Sequence, residues 1–92
     1  MPGPESNLEL RFVAEVRRRG GLTEKLAPTR KGLPDRFVIL PGGEVRLVEL
    51  KAPGGVLSPA QRVWHGKAAR VGHGVATLTG PSEIAEWLDT HM

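Results

Sequence analysis

The sequence contains no cysteine. That absence excludes disulfides, thiolate nucleophiles and zinc sites built on thiolates. It also contains no apolar run approaching the roughly 20 residues needed to span a bilayer. The opening residues, Met1-Pro2-Gly3-Pro4-Glu5, lack a basic stretch followed by an apolar one. No secretory signal is therefore expected, and a soluble, cytoplasmic protein is. Internal repeats, low-complexity tracts and any sign of a second domain are missing as well. Ninety-two residues allow one small domain over 1–92, with 1–5 expected to fray. A core this size is modest, so a dimer or a bound partner would add stability. There is little excess charge: the net is +3. The basic residues are clustered, however, at Arg17-Arg18-Arg19 and Arg30-Lys31. Such clusters attract phosphate backbones. The triplet has an equally simple alternative, since cations complement the dipole at a helix C-terminus.

Along the chain, Leu8, Phe12, Val13 and Val16 recur at helical spacing and Gly20-Gly21 stops the run, which predicts a helix over about 6–19. Leu22 to Leu26 is a short strand candidate, and 28–32 reads as a loop. Two strand-like runs follow, 34–40 and 44–51, separated by the turn signal Pro41-Gly42-Gly43. Ala52-Pro53-Gly54-Gly55 is a loop. Ser58-Pro59-Ala60-Gln61 is a helix start, with Ser58 as cap, Pro59 in the first helical position and Gln61 completing a capping box. That helix should run to about Val71. Val75 to Leu78 reads as a buried strand. Pro81-Ser82-Glu83 opens a last helix with Ile84, Trp87 and Leu88 on one face. The predicted order is α-β-β-β-α-β-α, an α/β fold with a mixed central sheet.

The hairpin carries the chemistry. Centred on Gly42, it pairs Ile39 with Val45, Phe37 with Leu47 and Asp35 with Glu49. Directly paired residues have Cβ atoms about 4.5–5.5 Å apart. Lys51 lies two residues past Glu49 and so shares its face. Two carboxylates and an ammonium are thereby gathered at the end of an otherwise apolar face. Carboxylates that close repel each other, and a divalent cation resolves the repulsion. Hard ions such as Mg²⁺ prefer oxygen donors of this type. Without a cation, the same residues would make an ordinary ion cluster at a strand end.

Gly32-Leu33-Pro34-Asp35-Arg36, then Val48-Glu49-Leu50-Lys51, then Gly55, Ser58 and Gln61, resemble the VRR-NUC domain of the PD-(D/E)XK (restriction-endonuclease-like) nuclease superfamily. The resemblance covers about residues 6–80 and is closest in kind to standalone members from bacteria and their viruses. It implies an acidic residue in the first helix. Glu9 fits that place best, sharing a face with Val13 and Val16; a surface carboxylate near a helix N-terminus is its plain alternative. The resemblance also implies that Gln61 reaches the active site from the start of the second helix.

On this footing Asp35 and Glu49 are the expected metal ligands, with the Leu50 carbonyl as a third and Mg²⁺ or Mn²⁺ as the ion. Lys51 would act on the water and on the developing charge. Lys25, Arg30, Lys31 and Arg36 are candidates for phosphate contacts, which position a substrate without reading it. Trp64 is expected in the core rather than stacked on a base. His65 and His73 are isolated and no spacing makes them a metal pair. The function implied is a metal-dependent, structure-specific DNA endonuclease acting on branched DNA such as four-way junctions, and standalone members imply a homodimer. The alternatives are a non-catalytic basic DNA-binding protein on a nuclease-like scaffold and a structural partner in a larger assembly.

Overall fold

The computed structural model describes residues 4–27 and 29–92. Its elements are α1 (Pro4–Arg18), β1 (Leu22–Lys25), β2 (Arg36–Ile39), β3 (Val45–Lys51), α2 (Pro59–Arg70), β4 (Val75–Thr79) and α3 (Gly80–His91). The order is the one predicted. Of the segment expected to fray, residues 1–3 lie outside the described residues, as does Pro28 of the predicted loop. Pro4 and Glu5 instead belong to α1, where a proline in the first turn forfeits no helical hydrogen bond.

The four strands form one sheet in the order β1-β2-β3-β4. β1–β2 and β2–β3 are antiparallel. β3–β4 is parallel, with Leu47 opposite Val75. A parallel pair needs a long crossover, and α2 supplies it. The hairpin has the predicted register: Phe37 faces Leu47 and Ile39 faces Val45. The turn closes through Gly43 N–H to Leu40 O at 2.8 Å. β4 was expected to be buried; it is an edge strand, and only Leu78 of it is fully buried.

α1 ends in a Schellman motif. Gly21 N–H donates to Val16 O at 2.9 Å and Gly20 N–H to Arg17 O at 3.0 Å. Gly20 has φ +89°, a conformation that L side chains rarely adopt. Leu8, Phe12 and Val16 of α1 and Ile84, Trp87 and Leu88 of α3 form the core with Val38, Leu40, Val48, Leu50 and Leu78 of the sheet region. Phe12 and Trp87 meet with ring centroids 5.9 Å apart. Strand alternation turns Glu49 away from Val48 and Leu50, toward the α2 side. Both faces of β3 are therefore buried over Val48–Leu50. Among the described residues no helix is long and apolar enough to cross a membrane.

Candidate active site

β2 begins one residue after Asp35, at Arg36. The Asp35 backbone still accepts from Leu26 N–H at 2.9 Å. Its side chain crosses to β3, where Oδ2 accepts the Leu50 N–H at 2.9 Å. A carboxylate thus continues the pairing where the regular ladder stops. The bond ties Asp35 to the peptide that follows Glu49. The ladder itself ends at Arg36 opposite Val48, and Asp35 extends it through this side-chain bond.

Glu49 is 1% exposed. Burying a carboxylate this deeply is costly unless opposite charge, hydrogen bonds or a metal compensate. A partner comes from α2: His65 Nε2 lies 3.5 Å from Glu49 Oε1. The His65 pKa is lowered, first by burial and then by the positive charge of Lys51, while Asp35 pulls the other way. The ring is therefore neutral at neutral pH, and Asp35, Glu49, Lys51 and His65 form one electrostatic group. His65, isolated in the sequence, is therefore in contact with Glu49 in the fold. The signal for it was its place four residues after Gln61, on the same face of α2.

Lys51 closes β3, half-buried, opposite Thr79 of β4. The chain then turns at once: Gly55 N–H donates to Ala52 O at 2.8 Å. A Cβ added at Gly55 would lie 3.4 Å from Lys51 Cβ and 3.0 Å from Ala52 O. The turn is folded tightly beneath the lysine stem.

Of the two roles considered for Gln61, the structure shows the cap. Gln61 Oε1 accepts from Ser58 N–H at 2.8 Å and Ser58 Oγ accepts from Gln61 N–H at 3.1 Å. This capping box fixes where α2 starts, and so where His65 falls. Glu9, partly buried on α1, has its Oε1 3.9 Å from Lys25 Nζ. Lys25 is on β1, whose neighbouring Leu26 bonds the Asp35 backbone.

Lys25, Arg30 and Lys31 are exposed and line a groove of about 230 Å³ that reaches Asp35. Arg36 does not join them. It is 6% exposed, and its Nη1 donates to Thr23 Oγ1 at 3.3 Å. Alternation puts it on the core face with Val38, where it is too buried to contact a phosphate backbone as its sequence suggested. In the Arg17–Arg19 cluster, Arg17 and Arg18 fall in the last turn of α1, Arg18 pairs with Glu15 at 2.9 Å, and Arg19 pairs with Asp89 at 2.9 Å. His73 is a surface tie, with Nε2 3.1 Å from Val45 O.

The carboxylates of Asp35 and buried Glu49 offer oxygen atoms, the type of donor that hard divalent ions prefer. Among the described residues there is no cluster of three or more His, Asp or Glu side chains arranged for a metal. Two hard carboxylates are present, Asp35 immediately before β2 and Glu49 within β3. That is the sparse protein contribution Mg²⁺ takes when it keeps several waters and shares a substrate phosphate.

The sheet order, the crossover helix and the acid–acid–lysine strand pair define a small nuclease-like α/β domain. The family model for the VRR-NUC domain matches residues 8–81, and the chain belongs to that family. It is similar to the protein named "Putative nuclease p44" of Acyrthosiphon pisum secondary endosymbiont phage 1, with 43% identity over 75 residues, covering 80% of this chain and 81% of the phage protein. It is also similar to a solved VRR_NUC domain structure, with a TM-score of 0.88 and 25% identity over 99% of this chain and 100% of that one.

Proposed function

We propose that this chain is a nuclease, and more narrowly a divalent-metal-dependent, structure-specific endodeoxyribonuclease that cuts branched DNA, four-way junctions included, as a homodimer. The observation that carries the reading is the bond from Leu50 N–H to Asp35 Oδ2. It holds one carboxylate against the strand that bears the other carboxylate and Lys51. Family membership and the phage relative named as a nuclease support the reaction class.

Asp35, Glu49 and the Leu50 carbonyl would hold Mg²⁺ or Mn²⁺. Such an ion, when bound, acidifies a water and neutralises phosphate charge. The chain's own groups do the rest. Lys51 places an ammonium beside the scissile phosphate, where it orients the attacking water and offsets charge developing on the non-bridging oxygens. His65 steadies the Glu49 carboxylate. Lys25, Arg30 and Lys31 hold the backbone phosphates. Glu9, tied to Lys25, buttresses that cationic rim, and Gln61 sets the start of α2.

The test is cleavage of a panel of duplex, flap, single-stranded and four-way DNAs with Mg²⁺ and Mn²⁺ separately. Asp35→Asn and Glu49→Gln should abolish cutting and leave DNA binding largely intact. An asparagine oxygen can still accept the Leu50 N–H, so the first variant should fold. Full activity in either purified variant would overturn the mechanism. Binding without cutting by the wild-type chain would leave a DNA-binding protein on a nuclease-like scaffold.

A further inference from the structure

Two surface grooves meet at Arg30 and Lys31. One is the groove of about 230 Å³ that reaches Asp35. The other, about 350 Å³, lies along α2 against Val63, Trp64 and Lys67. Because Arg30 and Lys31 line both, a single cationic rim connects Asp35 to Trp64. Among the described residues the second groove has three cationic side chains in its wall and no acidic one.

The rim is held in register with the tryptophan by the backbone. Gly32, with φ +92°, sits directly on α2. A Cβ there would lie 2.3 Å from Ala60 O and 3.2 Å from Trp64 Cβ. The loop that carries Arg30 and Lys31 is thus packed against the turn of helix that carries Trp64. The two tryptophans of the chain differ. Trp87 is buried between Phe12 and His91, with ring centroids 5.9 and 4.7 Å away. Trp64 is half-buried, has no aromatic neighbour among the described residues and stands beside Val63, which is 57% exposed. Its expected place in the core is only half realised: one side meets the loop and the other lines the groove.

A half-buried aromatic side chain lining a groove with cations has a definite complement. Duplex DNA offers phosphates to the cations but keeps its base faces stacked away. An unpaired nucleotide offers both a phosphate and a π-face, and base–aromatic stacking is tolerant of sequence. We infer that this groove binds an unpaired nucleotide of the strand being cut, with the base on Trp64 and the phosphates on Arg30, Lys31 and Lys67. The inference rests on the nuclease reading and gives structure specificity a physical origin. A strand can lay a phosphate at Asp35 and a neighbouring base on Trp64 only where it leaves the duplex.

The test uses the full chain in EDTA, so that no cutting occurs, with two probes: a blunt duplex and the same duplex bearing a single-stranded oligothymidine arm. The armed duplex should bind more tightly and quench tryptophan emission, while the blunt one should not quench. Trp64→Leu should lose the quench and about tenfold in affinity for the armed probe alone. Trp64→Phe should keep that affinity. Lys67→Ala, on an exposed position, should lower the log–log salt slope by about 0.7 for the armed probe alone. If Trp64→Leu misfolds in a thermal melt, Trp64→Phe and Lys67→Ala still decide. Equal weakening on both probes, or an arm that adds no affinity, would overturn the inference and leave the nuclease reading standing. A wild-type chain that binds neither probe would overturn both.

Discussion

At 3.5 Å, His65 Nε2 and Glu49 Oε1 are further apart than a well-formed hydrogen bond. On the proposed mechanism, the contact would tighten if Glu49 held a divalent ion. A neutral ring suits that role, because it can donate one N–H without bringing a second positive charge beside Lys51. Side chains that orient a metal's ligands typically contribute 10- to 100-fold in affinity or activity when removed. His65→Ala should therefore weaken Mn²⁺ binding by about that factor, read by calorimetry on the DNA-free chain, with single-turnover cleavage falling in parallel. Unchanged calorimetry would detach His65 from Glu49. At this scale Asp35, Glu49 and Lys51 were legible in the sequence, because a strand's two-residue period and a centred turn leave little freedom in which side chains share a face. His65 was not. Its approach depends on how α2 lies across the sheet, and helical spacing alone does not encode that angle. Arg36 was misread for a different reason: its charge suggested solvent, while strand alternation placed it beside Val38.

Helix ends and strand ends show the same division. The caps were readable because they are local: Gly20-Gly21 after α1, and Ser58 with Gln61 before α2, each satisfy neighbouring main-chain groups. The start of α3 follows suit, with Glu83 Oε1 accepting from Thr79 N–H at 3.0 Å. The start of β2 and the burial of β4 were less readable, since both depend on partners distant in sequence. α1 also carries a titratable device. Arg18 donates two hydrogen bonds to Glu15. That bonding, with the charges of Arg18 and Arg19 adding to it, lowers the Glu15 pKa from 4.5 to about 2. Folding thus favours the ionised form. The contribution is fully present above pH 4.5 and is lost as the pH falls through about 2. Being on the surface, the effect is small and screened by salt. Glu15→Gln should lower the melting temperature slightly at pH 7 in low salt, and the gap to wild type should close by pH 2. A gap that persists at pH 2 would assign it to lost packing instead.

The whole molecule measures about 35 × 32 × 23 Å. One turn of B-DNA is about 34–36 Å long, so a single copy spans roughly one turn. Two sites related by a twofold axis would match a symmetric junction. An uncovered row is available to such a dimer: Leu22, Ile39 and Val45 stand in register across three strands, with Leu22 and Val45 about half exposed. Light scattering at micromolar concentration should accordingly give twice the 9.9 kDa chain mass. A mass near 9.9 kDa would shift the proposed substrate from four-way junctions to flaps or nicked duplex.

The sheet's mixed direction also has a kinetic consequence. β2 and β3 meet across a short turn, whereas β3 and β4 meet only after a crossover that places Leu47 beside Val75. Closing the longer loop costs more chain entropy before any contact rewards it. The hairpin that carries Asp35 and Glu49 should therefore assemble early, and the edge strand opposite Lys51 should dock late. On that order the carboxylates are paired before the lysine has its final wall, and the last step of folding is also the one that completes the site.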